Sequence, residues 1–115
     1  MRIERFEDVI AWQKAQDLNI NLRQIFDKNR DYSFKDQAFR AAVSVMNNIA
    51  EGFDRNSDRE FRHFLYIAKG SVAEIRSMLS LARELNYIDE HQYYINEALS
   101  VEISKILAGF IKSLN

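Results

Sequence analysis

Glu60 and His63 stand three residues apart, the spacing that puts two ligands on one helical face in carboxylate-bridged metal bundles. Such a centre needs a second Glu-x-x-His and a glutamate from each of two further helices. The only other histidine, His91, follows Glu90 directly. The competing reading makes Glu60 a helix cap and His63 a surface or interfacial residue. A second group forms a stripe: Arg40, Ser44, Asn47, Asn48 and Glu51 recur at helical steps. These are short amides and hydroxyls with one arginine, where a solvated face would carry Lys, Glu and Gln. Alanines and valines flank them, which permits close helix approach. A third group, Arg55, Arg59, Arg62, Lys69 and Arg76, supplies candidate nucleic-acid contacts, although Asp54, Asp58, Glu60 and Glu74 interleave with it.

No Ser/His/acid order, glycine-rich phosphate loop or dinucleotide fingerprint occurs. No catalytic residue, cofactor or metal is therefore assigned, and the chain reads as non-enzymatic. The alternative is a metal-dependent helical-bundle enzyme using Glu60 and His63. Net charge is −1, which argues against a uniformly basic nucleic-acid-binding face. The absence of cysteine excludes disulfides and suits a reducing cytoplasm. Acidic residues near the start do not fit a signal peptide, and the longest later apolar run, Ile106 to Ile111, is far too short to span a membrane. Cytoplasmic localisation without membrane contact is the expectation.

The 115 residues, with no proline and three glycines, suit one all-α domain spanning 1–115. Four helices must position the polar groups. Helix 1 is expected from Glu7 or Asp8, with Asp8 as cap, to near Lys28, on a seam of Ala11, Ala15, Leu18, Leu22 and Ile25. Trp12 lies one position off that seam and fills the bundle end or a subunit contact. Helix 2, capped by Ser33 with Asp36, carries Phe39, Ala42, Met46, Ile49 and Phe53 to about Asp54. After a turn in which Asn56 can adopt a left-handed conformation, Ser57 and Glu60 cap helix 3.

The seam of helix 3 is Phe61, Leu65, Ala68, Val72, Ile75, Leu79 and Ala82. A second stripe, Phe64, Ile67, Ser71, Glu74, Met78, Leu81 and Leu85, predicts cover on two sides. Asp89 and Gln92 cap helix 4, with Ile88 and Tyr93 as a hydrophobic staple. Its expected seam is Ile95, Leu99, Ile103, Ile106, Phe110 and Leu114. Short loops make an antiparallel up-down-up-down four-helix bundle. If the turn centres near residue 56, facing positions of helices 2 and 3 sum to about 112. That register brings Arg40 to Ser71 and Glu74, predicting an Arg40–Glu74 pair beside Ser44 and Ser71 in a half-buried polar layer. Gly70 would let another helix cross closely.

The run Ala41-Ala-Val-Ser44-Val-Met-Asn47-Asn48-Ile49-Ala50-Glu51-Gly52 resembles the hallmark of the bacterial four-helix bundle proteins encoded in 23S rRNA intervening sequences. Phe6-Glu-Asp8, Trp12-Gln-Lys-Ala15, Glu60-Phe61 with Phe64-Leu65, Gly70-Ser71-x-x-Glu74 and Leu85-Asn-Tyr87-Ile88 extend the likeness over nearly the whole chain. The resemblance implies an up-down bundle that assembles as a ring-like homopentamer, with no known enzymatic activity. A similar fold serves the accessory variability determinant proteins of diversity-generating retroelements, which are basic, bind nucleic acid and partner a reverse transcriptase. This chain departs from them in its slight acidity, and it has Met46 where family members often carry proline. The resulting expectation is an oligomeric scaffold or adaptor with RNA or a nucleic-acid enzyme as partner.

Overall fold

The computed structural model describes residues 3–114. After a 3-10 turn at Phe6–Asp8 come α1 (Ile10–Phe26), α2 (Tyr32–Phe53), α3 (Asp58–Glu84) and α4 (Glu90–Ser113). Each helix packs on its neighbours in chain order and α4 closes against α1, while among the described residues the backbones of the diagonal pairs stay apart. This is the expected antiparallel four-helix bundle, 43 × 22 × 19 Å. The most extensive packing is between α2 and α3, and the least extensive between neighbouring helices is that of α1 and α4.

The seam of α3 is as expected, with all seven residues from Phe61 to Ala82 buried. Four expected seam residues of α1 are buried too, but Phe26 takes the last place instead of Ile25. The α2 core face is rotated by about one residue, to Phe34, Ala38, Ala41, Ala42, Val45, Ile49 and Gly52. Phe39, Met46 and Phe53 are only partly buried beside it. Small residues line the inner face because α2 lies close to its neighbours. Asn19 marks that proximity: its side-chain amide donates to the carbonyls of both Ala15 and Ala42, at 2.8 Å each.

Three helix ends differ from expectation. Val9, not Asp8, occupies the N-cap of α1. It is 1% exposed, so apolar burial sets this junction, and Asp8 stays in the 3-10 turn near Arg5. Phe6 packs edge-on to Trp12 at 5.2 Å between ring centroids, filling that end of the bundle. Asp31, not Ser33, caps α2, accepting from the Phe34 amide at 3.1 Å. The left-handed residue is Asn86 (φ 60°), and Asn56 is not left-handed.

Asn86 ends α3 in a Schellman motif, with the Tyr87 amide donating to Ala82 and its own amide to Arg83. That turn swings Tyr87 across the bundle end, where its hydroxyl donates to Asp31 at 2.7 Å. Phe34 stands edge-on between Phe26 and Tyr87, with centroids 5.3 Å away on each side. One carboxylate thus caps α2 with one oxygen and holds the α3–α4 turn with the other. At the start of α4 the Asp89–Gln92 capping box is complete, and Ile88 is buried.

Candidate interaction surfaces

The polar stripe of α2 meets α3 close to the expected register. Ser44 and Ser71 share a hydrogen bond of 2.8 Å, and Asn48 donates to the Ser44 carbonyl and hydroxyl at 2.8 and 3.0 Å. The layer is half-buried at Ser44, Asn48, Ser71 and Glu74, while Arg40, Asn47 and Glu51 lie exposed on its outer edge. Gln37, not Arg40, is hydrogen-bonded to Glu74. Gln37, one turn before Arg40 on α2, takes the place opposite Glu74, and Arg40 stays exposed without an ion pair among the described residues. Glu51 pairs with Arg55 at 2.6 Å. Gly52 gives the seam its closeness: a β-carbon there would stand 2.7 Å from the Phe64 β-carbon. Gly70 does the opposite, with open space around it.

The five candidate cations separate. Arg55 lies over the Phe64 ring at 4.7 Å, and Arg76 pairs with Glu97 at 2.6 Å. Arg59, Arg62, Lys69 and Arg76 share one stripe of α3, on the side toward α4, and Tyr66 sits among them with 58% of its surface exposed. In the sequence these cations are a population around a hairpin; their common stripe follows from the helical step because α3 runs unbroken from Asp58. Arg55, Ser57, Arg59, Glu60, His63 and Phe64 line a shallow depression at the α2–α3 turn. Ser57 caps α3 by accepting from the Glu60 amide, while the Glu60 carboxylate accepts from the Ser57 hydroxyl and not from its amide, so the expected capping box is half formed; His63 stacks edge-on to Phe64. Among the described residues no group of three or more His, Cys, Asp or Glu gathers to hold a metal, so the Glu60–His63 pair finds no further ligands.

The largest departure is on α4. Its inward residues are Asn96, Ser100, Ile103, Leu107 and Ile111, so the expected seam is displaced by one residue. Ile95 is 46% exposed, and Leu99, Ile106 and Phe110 are only partly covered. The more apolar stripe of this helix therefore lies on its flank, with Ile95 exposed and Leu99, Ile106 and Phe110 part-covered against the core, while an asparagine and a serine face inward. Both inner polar residues bond within the helix: Asn96 donates to the Gln92 carbonyl and Ser100 to the Asn96 carbonyl, each at 2.8 Å. The Asn96 side-chain oxygen has no hydrogen-bond donor near it although the residue is 2% exposed. An unpaired buried amide oxygen costs about 1 to 3 kcal/mol. Sequence reasoning missed Asn96 and Ser100 because a period search rewards the greasiest stripe; the signal available was two polar residues four apart, in step with Ile103 and Leu107.

Among the described residues no helix is long and apolar enough to cross a membrane. Comparison with curated proteins gave no match. A solved structure from Bacteroides thetaiotaomicron, described as a protein with unknown function from the S23 ribosomal protein family, aligns with a TM-score of 0.85 at 24% identity, covering 90% of this chain and 100% of its own. That likeness is one of fold. The model of the family described as 23S rRNA-intervening sequence protein matches residues 7–109, a span that takes in the Ser44 to Gly52 layer, the Gly70-Ser71 segment opposite it and most of α4. On that match the chain belongs to the 23S rRNA-intervening sequence protein family.

Proposed function

We propose that this protein is a homo-oligomeric scaffold or adaptor, a non-enzymatic bundle whose working form is a ring of copies, five by family resemblance. The observation that carries the reading is the apolar stripe on the flank of α4. A helix apolar on more than its core face is one whose second side is also covered, and Ile95, Leu99 and Ile106 supply that side. A second apolar surface lies on the opposite flank, where α3 exposes Ile67 (40%) and Leu81 (49%). Two different apolar faces on opposite sides suit a head-to-tail contact, the kind that closes into rings. Light scattering at micromolar concentration should show an assembly several times the monomer mass. Ile95→Glu and Leu81→Glu should each return it to the monomer with its helical circular dichroism intact. A monomeric wild-type chain would refute the reading.

A second observation favours contact between the assembled surface and RNA, or an enzyme that acts on nucleic acid. Arg59, Arg62 and Lys69 flank the exposed Tyr66 ring on one stripe, a combination that pairs phosphate neutralisation with a stacking platform. Affinity for single-stranded RNA should fall as salt rises, and the log–log slope should shrink by about 0.7 for each phosphate-contacting cation replaced by alanine. Absence of binding at low salt would remove RNA from the proposal and leave the scaffold.

A further inference from the structure

Two antiparallel stretches lie side by side on the α3–α4 face with no acidic residue in either: 61–73 of α3 and 103–114 of α4. Two contacts fix how they are matched. Phe61 meets Phe110 edge-on at 5.1 Å between ring centroids, and Arg76 pairs with Glu97 at 2.6 Å. Antiparallel helices tied at those two points bring Lys105 level with Ile67, beside Tyr66, and Lys112 level with Glu60, between Arg59 and Arg62.

Lys69 and Arg62 stand seven and fourteen residues before Arg76, so they share the side of α3 that Arg76 turns toward α4. Lys105 and Lys112 are exposed, on the side of α4 opposite the buried Ile103 and Leu107. Five cations from two helices thus surround the exposed Tyr66 ring within about 15 Å along the bundle axis. Arg59, Arg62 and Lys112 lie toward the α2–α3 turn, and Lys69 and Lys105 lie level with the ring or beyond it. None of the five forms an ion pair among the described residues. The nearest acids are held elsewhere or at the margin. Asp58 and Glu60 belong to the first turn of α3, Glu74 is hydrogen-bonded to Gln37 on the α2 side, and Glu102 is tied to Lys14 on the α1 side. In a chain of net charge −1, positive charge is therefore segregated onto this face, and the local potential attracts a polyanion.

We infer that this two-helix face is a site for single-stranded nucleic acid: Tyr66 stacks on one unpaired base, and cations of both helices, Lys105 and Lys112 included, hold the phosphates on either side of it. The inference rests on the RNA contact proposed above and extends it from one helix to two. A single strand is the form that fits, because a duplex keeps its bases stacked on one another and offers Tyr66 no free face. Lys112 also lies in the last turn of α4, where positive charge suits the helix end. Lys105, two turns earlier, has no such use and is the sharper test.

The test is fluorescence anisotropy of a labelled oligo-uridylate with the full chain across a salt series. The proteins are wild type, Lys105→Ala, Lys112→Ala, Tyr66→Leu and, as control, Lys28→Ala, at the opposite end of the bundle. All four substituted positions are exposed, so circular dichroism should match wild type throughout. Lys105→Ala and Lys112→Ala should each lower the log–log salt slope by about 0.7, which at about 0.1 M salt is about fivefold in affinity. Tyr66→Leu should weaken binding roughly fivefold to a hundredfold and leave the slope as it was, since stacking releases no counterions. Lys28→Ala should change neither. An oligo-deoxythymidylate of the same length separates the sources of the strand: tighter binding of the uridylate supports RNA, and equal binding supports recognition of phosphate and base alone. Binding that weakens with Arg59→Ala or Arg62→Ala but with neither α4 variant would overturn the two-helix site while the RNA reading stands. Equal affinity for an RNA duplex or for phosphatidylserine vesicles, unmoved by Tyr66→Leu, would also overturn it and show a general polyanion surface. Absence of wild-type binding at low salt would sink both proposals together.

Discussion

Replacing Gly52 by alanine tests the close approach of α2 to α3. Ordinarily glycine to alanine in a helix gains about 0.5 to 1 kcal/mol, because alanine loses less conformational freedom on folding. Here the added methyl would lie 2.7 Å from the Phe64 β-carbon, 2.9 Å from Phe61 Cδ1 and 3.4 Å from the Phe61 carbonyl oxygen. The Phe61 ring can turn a little, although it is held edge-on by Phe53 and Phe110. The Phe64 β-carbon cannot turn, since it is fixed to the α3 backbone. Relief therefore requires α3 to retreat by roughly 0.7 Å at the point where α2 and α3 pack most closely.

Overpacking of this kind costs about 1 to 3 kcal/mol. Taken at about 2 to 3 kcal/mol, the upper part of that range, because the Phe64 β-carbon cannot move alone, and less a propensity gain of about 0.5 to 1 kcal/mol, Gly52→Ala should destabilise by about 1 to 2.5 kcal/mol, or roughly 4 to 10 °C in Tm for a chain of this length. Gly109→Ala is the internal control: nothing lies within 4 Å of a β-carbon built there, so the same change should stabilise by about 0.5 to 1 kcal/mol. Urea and thermal unfolding at one protein concentration would give both values. A Gly52→Ala protein as stable as wild type, or more so, would refute the close α2–α3 approach.

Two further outcomes follow from the polar contacts. Hydrogen bonds from Tyr87 and then from the Phe34 amide hold the Asp31 pKa below its ordinary 3.8, while the Asp31 hydrogen bond, with burial and the carboxylate charge behind it, raises Tyr87 above 10.0. The Asp31 contribution is thus present above pH 3.8 and lost as pH falls through the depressed value, and that of Tyr87 is present below pH 10.0 and lost as pH rises through the raised one. Tyr87→Phe should flatten both limbs of a stability–pH curve measured by urea midpoint; an unchanged curve would refute the coupling. In the α2–α3 layer, Ser44→Ala and Ser71→Ala should each cost about 0.5 to 1.5 kcal/mol, and the double variant less than their sum. Strict additivity in a double-mutant cycle would show that the hydroxyls do not share a bond.

The parts of this protein that were legible in sequence are those decided within one or two helical turns. Ser57 caps α3 through the Glu60 amide and Asp89 with Gln92 boxes α4, both through bonds spanning three residues, and the seven-residue seam of α3 is unambiguous because no rival stripe is as apolar. The Ser44–Ser71 contact was also within reach, since a short antiparallel turn ties the register of its two helices. The errors share a different origin. Asp8 and Ser33 were sound caps by type, yet burial of Val9 and the double engagement of Asp31 displaced them, and both depend on other parts of the chain. Arg40 was matched to Glu74 by register alone, which says nothing of how far out on the helix each side chain stands.

Helix α4 shows the division most plainly. Its existence, its boundaries and its partner order were determined by capping chemistry, apolar content and loop length. Which of its stripes would face inward was not, because two neighbouring stripes both satisfy the helical period and the amount of apolar surface favours Ile95, Leu99 and Ile106 over Asn96 and Ser100. The choice depends on how α1 and α3 present their own faces to it, a relation among helices that no local pattern contains. The amino-acid sequence by itself determined four antiparallel helices and the Ser44–Ser71 contact of the α2–α3 layer. Only the tertiary structure decided that α4 turns Asn96 and Ser100 to the core and leaves Ile95 exposed, because that choice depends on the faces its neighbours present.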